Sequence, residues 1–268
     1  MKTEPRKLAM ITGASSGIGF ELARVFAKNN YDLIINSSSN SLMDKVDELK
    51  DLGVEVTGVI ADLATREGAE ELYMKANYAG RPIDVLVLNA GVAVGGEFLE
   101  NDFEDELNLM NLNMVYLVYL AKKVMKDMAQ RNEGKVLFTS SIAAEMPGPY
   151  YATYAASKSF VQSFAEAIRY EMKDTGRNIT VTALQPGPTD TNFFERGNME
   201  HTMVGESDSK DDPAQVAQDG YEALMKGKDH VIGGSIKNSI QAAAAKVMSE
   251  KQRASIHGNM TKPDSMKQ

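Results

Sequence analysis

Apolar residues in this chain fall into short runs of strand length, separated by longer stretches in which apolar positions return every three or four residues. The runs predict β-strands at Leu8–Thr12, Leu33–Asn36, Val54–Ile60, Val85–Leu88, Lys135–Ser140, Ile179–Gln185 and His230–Ile232. The stretches between them predict helices over Gly17–Asn29, Ser41–Leu52, Thr65–Tyr78, Glu104–Arg131, Tyr151–Thr175 and Pro213–Lys226. Val85–Leu88 is apolar at every position, as a strand covered on both faces requires. Strand and helix alternate throughout. That order predicts an α/β fold: a doubly wound, seven-stranded parallel sheet with helices on both faces.

At 268 residues the chain would hold one domain or two. No linker rich in Pro, Ser or Gly divides it, and no internal repeat is present. Residues 1–234 are therefore expected to form one domain, with 235–268 a C-terminal helical appendix of the same domain. Within the appendix, Ser235–His257 reads as a helix built around Ala242–Ala245. The polar stretch Asn192–Asp212 follows Pro186-Gly187 and is expected to be a lid over a site. The apolar run Leu8–Ile11 resembles a very short signal peptide, but it ends at Thr12-Gly13 with no cleavage site and reads better as the first strand.

Composition removes several functions. Acidic residues number 37 against 29 basic, for a net charge of −8, and no basic run could follow a phosphate backbone. Nucleic acid is not an expected partner. Apolar stretches such as Met114–Ala121 fall short of the roughly 18–20 residues that cross a bilayer, so no membrane span is expected. The absence of Cys excludes disulfides, thiolate metal sites and a cysteine nucleophile, and suits a reducing cytoplasm. The acidic run after Gly205 lacks His and ordered carboxylate spacing, so it reads as a solvated lid face and no metal site is expected.

Chemistry enters at the first loop. Gly13, Ser15, Ser16, Gly17, Ile18 and Gly19 lie between the first strand and the first helix, with glycines spaced G-x-x-x-G-x-G. Glycine permits a tight turn and close approach of backbone N–H groups to a pyrophosphate, which the helix N-terminus also attracts. A dinucleotide site is expected there. No Gly-Lys-Ser/Thr ends the motif, which disfavours triphosphate chemistry. After the second strand stands Asn36-Ser37-Ser38-Ser39-Asn40, with no carboxylate to repel a 2′-phosphate. Ser37 and Ser38 thus favour NADP(H), while the lack of a nearby Arg or Lys leaves NAD(H) open.

Ser140-Ser141 closes the fifth strand, and Tyr154 and Lys158 follow at spacing i, i+4 on one helix face, with Cβ atoms about 5–6 Å apart. An ammonium at that range commonly brings an acid down by about 1–3 pH units, from the Tyr reference near 10. Tyr154 is expected to act as acid or base near neutral pH. Asp62 has two readings, as an adenine contact or as a cap for the helix near Thr65. His201, Tyr150 and Tyr151 are assigned at most to lining a substrate pocket.

With these motifs in order, the chain from Leu8 to about Gly234 resembles the short-chain dehydrogenase/reductase family. The resemblance implies a Rossmann-type fold, a nicotinamide cofactor and a hydride transfer between it and a carbonyl or secondary alcohol. Thr12–Gly19 is similar to the family's cofactor loop, and Asp62-Leu63 to the pair that holds the adenine. Asn89-Ala90-Gly91 is similar to the element after the fourth strand, where Asn89 is expected to steady the sheet. Pro186, Gly187, Thr189 and Thr191 match the segment beside the nicotinamide. Ser141, rather than Ser140, matches the serine that holds the substrate oxygen, and Tyr154 the proton donor. Lys158 would lower the Tyr154 pKa and bond the nicotinamide ribose, and Asn113 would complete a proton relay.

The presumed pocket offers Val92, Val94, Met146, Tyr150, Phe193, Phe194, Met199 and Met203, with Arg196 the one nearby cation. An apolar or mixed ketone or aldehyde is the expected substrate. In the family, the helices equivalent to Glu104–Arg131 and Tyr151–Thr175 form a subunit interface, and Met114, Tyr116, Tyr119, Phe160 and Phe164 would serve it here. A homodimer or homotetramer is expected. Two alternatives stay open: a dehydratase or epimerase of the same fold, and a non-catalytic NAD(P) sensor. The sensor would have lost Tyr154, Lys158 or Ser141, and a separate substrate domain would mark the epimerase.

Overall fold

The inner apolar runs form strands because each is covered on both sides, while the two outermost, Val56–Ile60 and His230–Gly233, leave residues exposed. The computed structural model describes residues 5–207, 209–235, 238 and 248–264. Its strands are β1 (Leu8–Thr12), β2 (Asp32–Ser37), β3 (Val56–Ile60), β4 (Val85–Leu88), β5 (Gly134–Thr139), β6 (Ile179–Pro186) and β7 (His230–Gly233). They form one seven-stranded sheet in the order β3-β2-β1-β4-β5-β6-β7, parallel throughout. Met10, Leu86 and Phe138 point into one core layer, and their neighbours Ile11, Val87 and Leu137 into the other.

Helices α1 (Gly17–Lys28), α2 (Leu42–Lys50) and α3 (Arg66–Tyr78) connect the first four strands. The long helix expected over Glu104–Arg131 is divided. Helix α4 (Phe103–Met110) passes through a π-helical turn at Asn111–Val115 into α5 (Tyr116–Arg131). Neither Pro nor Gly breaks it. The wider turn presents Asn113 inward, where its amide pairs with the backbone of Val92 and the hydroxyl of Ser157. Helix α6 (Ala152–Asp174) returns the chain to β6.

The expected lid, Asn192–Asp212, holds the four-residue helix α7 (Phe193–Arg196) and is otherwise irregular. Its two ends are stitched together, since Asp211 N donates to Pro188 O and Asp190 N to Asp211 O, each at 2.8–2.9 Å. Helix α8 (Pro213–Met225) then starts on Asp212 as cap with Pro in its first turn. The Ala242–Ala245 segment lies outside the described residues. Beyond it, a Ser249–Gln252 capping box opens α9 (Glu250–Thr261), so that helix runs past His257, where the expected helix ended. Among the described residues no helix is long and apolar enough to cross a membrane.

The strand order reverses between β1 and β4, and the loops leaving those two strands meet there. Thr12 joins them. Its hydroxyl oxygen accepts the N–H groups of Asn89 and Ala90, both at 3.0 Å, and its proton goes to Val87 O. Thr12→Val keeps the shape but leaves two half-buried N–H groups without their acceptor. We expect a loss of about 2–4 kcal/mol in urea unfolding with the secondary structure retained.

Candidate active site

One cavity opens at the carboxyl ends of the strands, across the reversal point. Gly13, Ser15, Ser16, Gly17, Ile18 and Gly19 line it from the β1 loop, and Ser37, Ser38, Asp62 and Leu63 from the loops after β2 and β3. Asn89, Ala90 and Gly91 line it after β4, and Ser141, Tyr154 and Lys158 after β5. Pro186, Gly187, Thr189 and Thr191 complete it from β6. Among the expected catalytic and cofactor residues, Asn113 alone does not line the cavity. It lies beneath Gly91, where an added Cβ would sit 3.2 Å from Asn113 Oδ1 and 3.3 Å from Lys158 Nζ.

The glycine loop has the chemistry of an anion cradle. Ser16 precedes α1 in an extended conformation, makes no capping bond, and is followed by a first turn without an acidic residue. The first-turn N–H groups and the positive end of the helix dipole therefore border the cavity with no protein acceptor among the described residues, which suits a pyrophosphate. Gly17 has φ +57°, and a Cβ there would stand 2.8 Å from Thr191 Cγ2. Any side chain at that position would close the gap between the β1 and β6 loops.

The neighbouring polar groups are largely committed to holding loops. Asn36 donates to Val59 O and Ala61 O, both at 3.0 Å, tying β2 to β3. The Ser37 hydroxyl donates to Ser15 Oγ at 2.9 Å and so joins the end of β2 to the glycine loop. Asn89 Nδ2 reaches Thr12 O and Gly13 O, which gives it the steadying role expected from its position. Asp62 does not cap α3; Thr65 does, accepting from Gly68 N, while one Asp62 oxygen accepts from Ala64 N.

Tyr154 and Lys158 are both buried beside the cavity. Burial pushes the Tyr154 phenol up to about 12, against a smaller lowering by its hydrogen bond with Ser141. Burial also brings the Lys158 ammonium down to about 8. The expected lowering of the Tyr154 pKa by Lys158 is therefore corrected. Desolvation outweighs it, and Lys158 Nζ is turned to Thr139 O at 2.9 Å. As it stands, Tyr154 is a protonated acid across the neutral range.

Of the three aromatic or imidazole residues assigned to the pocket wall, only Tyr151 lines the cavity. Tyr150 does not, and His201 is exposed on the lid. Val94, Met146 and Met203, expected in the pocket, do not line it; Met203 is 55% exposed, while Val204 beside it lines the cavity. His257, Met260 and Thr261 of α9 also line it and were not anticipated. The capping box Ser249-Glu250-Lys251-Gln252 was readable and marks the start of that helix, but nothing local to His257 signals that it returns to the site.

A doubly wound sheet with a phosphate cradle at its reversal point and a buried Tyr–Lys–Ser cluster beside it defines a dinucleotide-dependent oxidoreductase of the α/β class. The family model for short chain dehydrogenase matches residues 7–201, and the chain belongs to the short-chain dehydrogenase/reductase family. It is similar to oxidoreductase UcpA of Salmonella typhimurium, with 31% identity over 219 residues, 81% of this chain and 80% of the relative. Its fold is similar to that of a short-chain dehydrogenase from Sphingobium yanoikuyae in complex with NADPH. That match has a TM-score of 0.79 and 24% identity over 91% of this chain and 96% of the other. A short-chain dehydrogenase/reductase from Burkholderia phymatum in complex with NAD is similar in fold at a TM-score of 0.82 and 22% identity, covering 98% of this chain and 99% of the other.

The cradle yields a direct test. A methyl group at Gly19 would clash with Gly13 O and Asn89 Nδ2. Gly19→Ala is expected to weaken binding of NADPH and NADH by about tenfold or more in calorimetric titration and, because the Gly13 backbone must shift, to lower the melting temperature as well.

Proposed function

We propose that this oxidoreductase reduces an apolar or mixed ketone or aldehyde, or oxidises the matching secondary alcohol, with NADP(H) as its cofactor and NAD(H) as the weaker choice. The observation that carries the reading is the buried Tyr154, bonded to Ser141 and set beside the cradle in one cavity. A nicotinamide cofactor held by the glycine loop and the β6 segment would supply or accept the hydride at the carbonyl carbon. Ser141 holds the substrate oxygen. Tyr154 gives that oxygen a proton, so that a C=O bond becomes a CH–OH group, and takes it back in the reverse direction. Lys158 carries a positive charge next to the tyrosinate that remains, and Asn113 beneath it holds Gly91, Val92 and Ser157 in place.

The other site residues divide by position. Gly13, Ser15, Ser16, Gly17, Ile18 and Gly19 would hold the pyrophosphate, and Asp62 and Leu63 the adenine. Ser37 and Ser38 would face the adenosine ribose, where the absence of a carboxylate supports NADP(H). Asn89, Ala90, Gly91, Pro186, Gly187, Thr189 and Thr191 would border the nicotinamide half. The substrate end is walled by Phe193, Phe194, Met199, Val204 and Met260, which supports an apolar carbonyl compound. The stitched Asn192–Asp212 loop would serve as lid. We read residues 1–234 and the C-terminal segment as one domain, because α9 completes the cavity wall. Val115 in the π-helical turn before α5, with Phe160 and Tyr170 on α6, leaves exposed apolar surface, which supports a homodimer or homotetramer. The cysteine-free sequence favours the cytoplasm.

Tyr154→Phe is expected to keep NADPH affinity within about twofold and to lower turnover of a ketone by about 100-fold or more. Near-native turnover would overturn the assignment. The pH profile should show the same acid: ketone reduction level through neutral pH, then falling above about 8 as Lys158 loses its proton. Alcohol oxidation needs the phenolate and should instead rise from pH 6 to 8 in steady-state assays. In thermal melts NADPH should raise the midpoint more than NADH at equal concentration, and the reverse ranking would defeat the NADP(H) assignment.

A further inference from the structure

Three side chains spaced four apart on one face of α9 reach the same loop. Arg253 Nη1 donates to Glu145 O at 2.8 Å, His257 Nδ1 to Pro147 O at 2.9 Å, and Thr261 Oγ1 to Pro149 O at 2.8 Å. The three acceptors are alternate carbonyls of one irregular segment, which leaves a 3-10 turn at Glu145 and enters the turn at Pro149-Tyr150. Positions four apart on a helix lie on one face, so α9 meets all three from one side. The loop so splinted joins Ser141 to Tyr154.

The middle contact has a second arm. A carbonyl only accepts, so the bond to Pro147 fixes the His257 proton on Nδ1 and leaves Nε2 as an acceptor, to which the Tyr151 hydroxyl donates. Tyr151 is buried, and its ring stacks on Tyr154 with centroids 5.7 Å apart and planes 27° from parallel. On another side Tyr154 meets Phe193 of the lid at 5.3 Å.

We propose that His257 is a positioning residue: by holding Tyr151 through its hydroxyl, it fixes the ring of Tyr154 against the lid, so that the C-terminal helix sets the aim of the proton donor. This rests on the reading of Tyr154 as that donor. His257 lines the cavity, and its hydrogen bonds go to Pro147 and Tyr151. Its effect through Tyr151 belongs in kcat rather than in cofactor binding.

Three variants and one probe test it. His257→Leu removes both bonds, Tyr151→Phe removes only the hydroxyl, and His257→Gln keeps a donor and an acceptor. With a ketone substrate, His257→Leu and Tyr151→Phe are expected to lower kcat about tenfold, with KM and the NADPH dissociation constant within about twofold. His257→Gln should recover most of the rate. The His257→Leu/Tyr151→Phe double variant should be no worse than either single one, because both break the same link. Fluorotyrosine placed at position 154 gives a readout free of turnover: its fluorine resonance should shift in both single variants and return toward the native position in His257→Gln. Unchanged kcat and resonance in Tyr151→Phe, or multiplied losses in the double variant, would overturn the proposal. If His257→Leu does not fold, Tyr151→Phe and His257→Gln decide it alone. A native protein that turns over no carbonyl compound would overturn the assigned reaction, while the fluorine shifts would still judge the positioning.

Discussion

The whole active end of the molecule depends on one hydroxyl. Thr12 stands where the strand order reverses, and through it the loops after β1 and β4 share a single acceptor. From that point the contacts spread outward: Asn89 to the carbonyls of the glycine loop, Thr139 to Asn89, and Lys158 to the Thr139 carbonyl. The cradle for the dinucleotide and the cluster that handles the proton are thus parts of one hydrogen-bonded framework. A displacement on either side is transmitted to the other, because each bond in the series shares a residue with the next.

Burial sets the electrostatics of the site. Tyr154 and Lys158 stand four residues apart on α6, and spacing alone makes them an acid and a cation in mutual support. Inside the protein each is driven toward its neutral form, the phenol upward and the ammonium downward. The resting site therefore holds a neutral phenol beside the Lys158 ammonium, and a negative charge develops there only as a proton leaves Tyr154. The neutral phenol also suits the apolar wall formed by Phe193, Phe194 and Met199. The stabilising charge of Lys158 acts most strongly on the state in which the tyrosine is ionised.

The strands were legible in the sequence to within about two residues because a doubly covered strand must be apolar along its length, and few other structures demand that. The glycine loop, Ser141, Tyr154 and Lys158 were legible as motifs, and all of them reach one cavity. What was not legible depends on contacts between distant parts of the chain. Asn111-Leu112-Asn113 carries no helix breaker, so the π turn follows from the tertiary bonds of Asn113 and could not be read from its neighbours. The raised Tyr154 pKa follows from burial rather than from its spacing to Lys158. His257 lies more than a hundred residues beyond Tyr151, and only the folded chain brings the two together.

The π turn between α4 and α5 has a further meaning for how this chain tolerates change. A regular helix advances by about 100° per residue, so its apolar faces keep one fixed phase from end to end. The wide turn at Asn111–Val115 breaks that phase, and α4 and α5 bury faces that one uninterrupted helix could not present together. Loss of a single residue within the turn would regularise the helix and rotate Leu120 and Val124 away from the sheet they cover. The segment is thus nearly indifferent to which side chains its outer positions carry, yet intolerant of any change in their number.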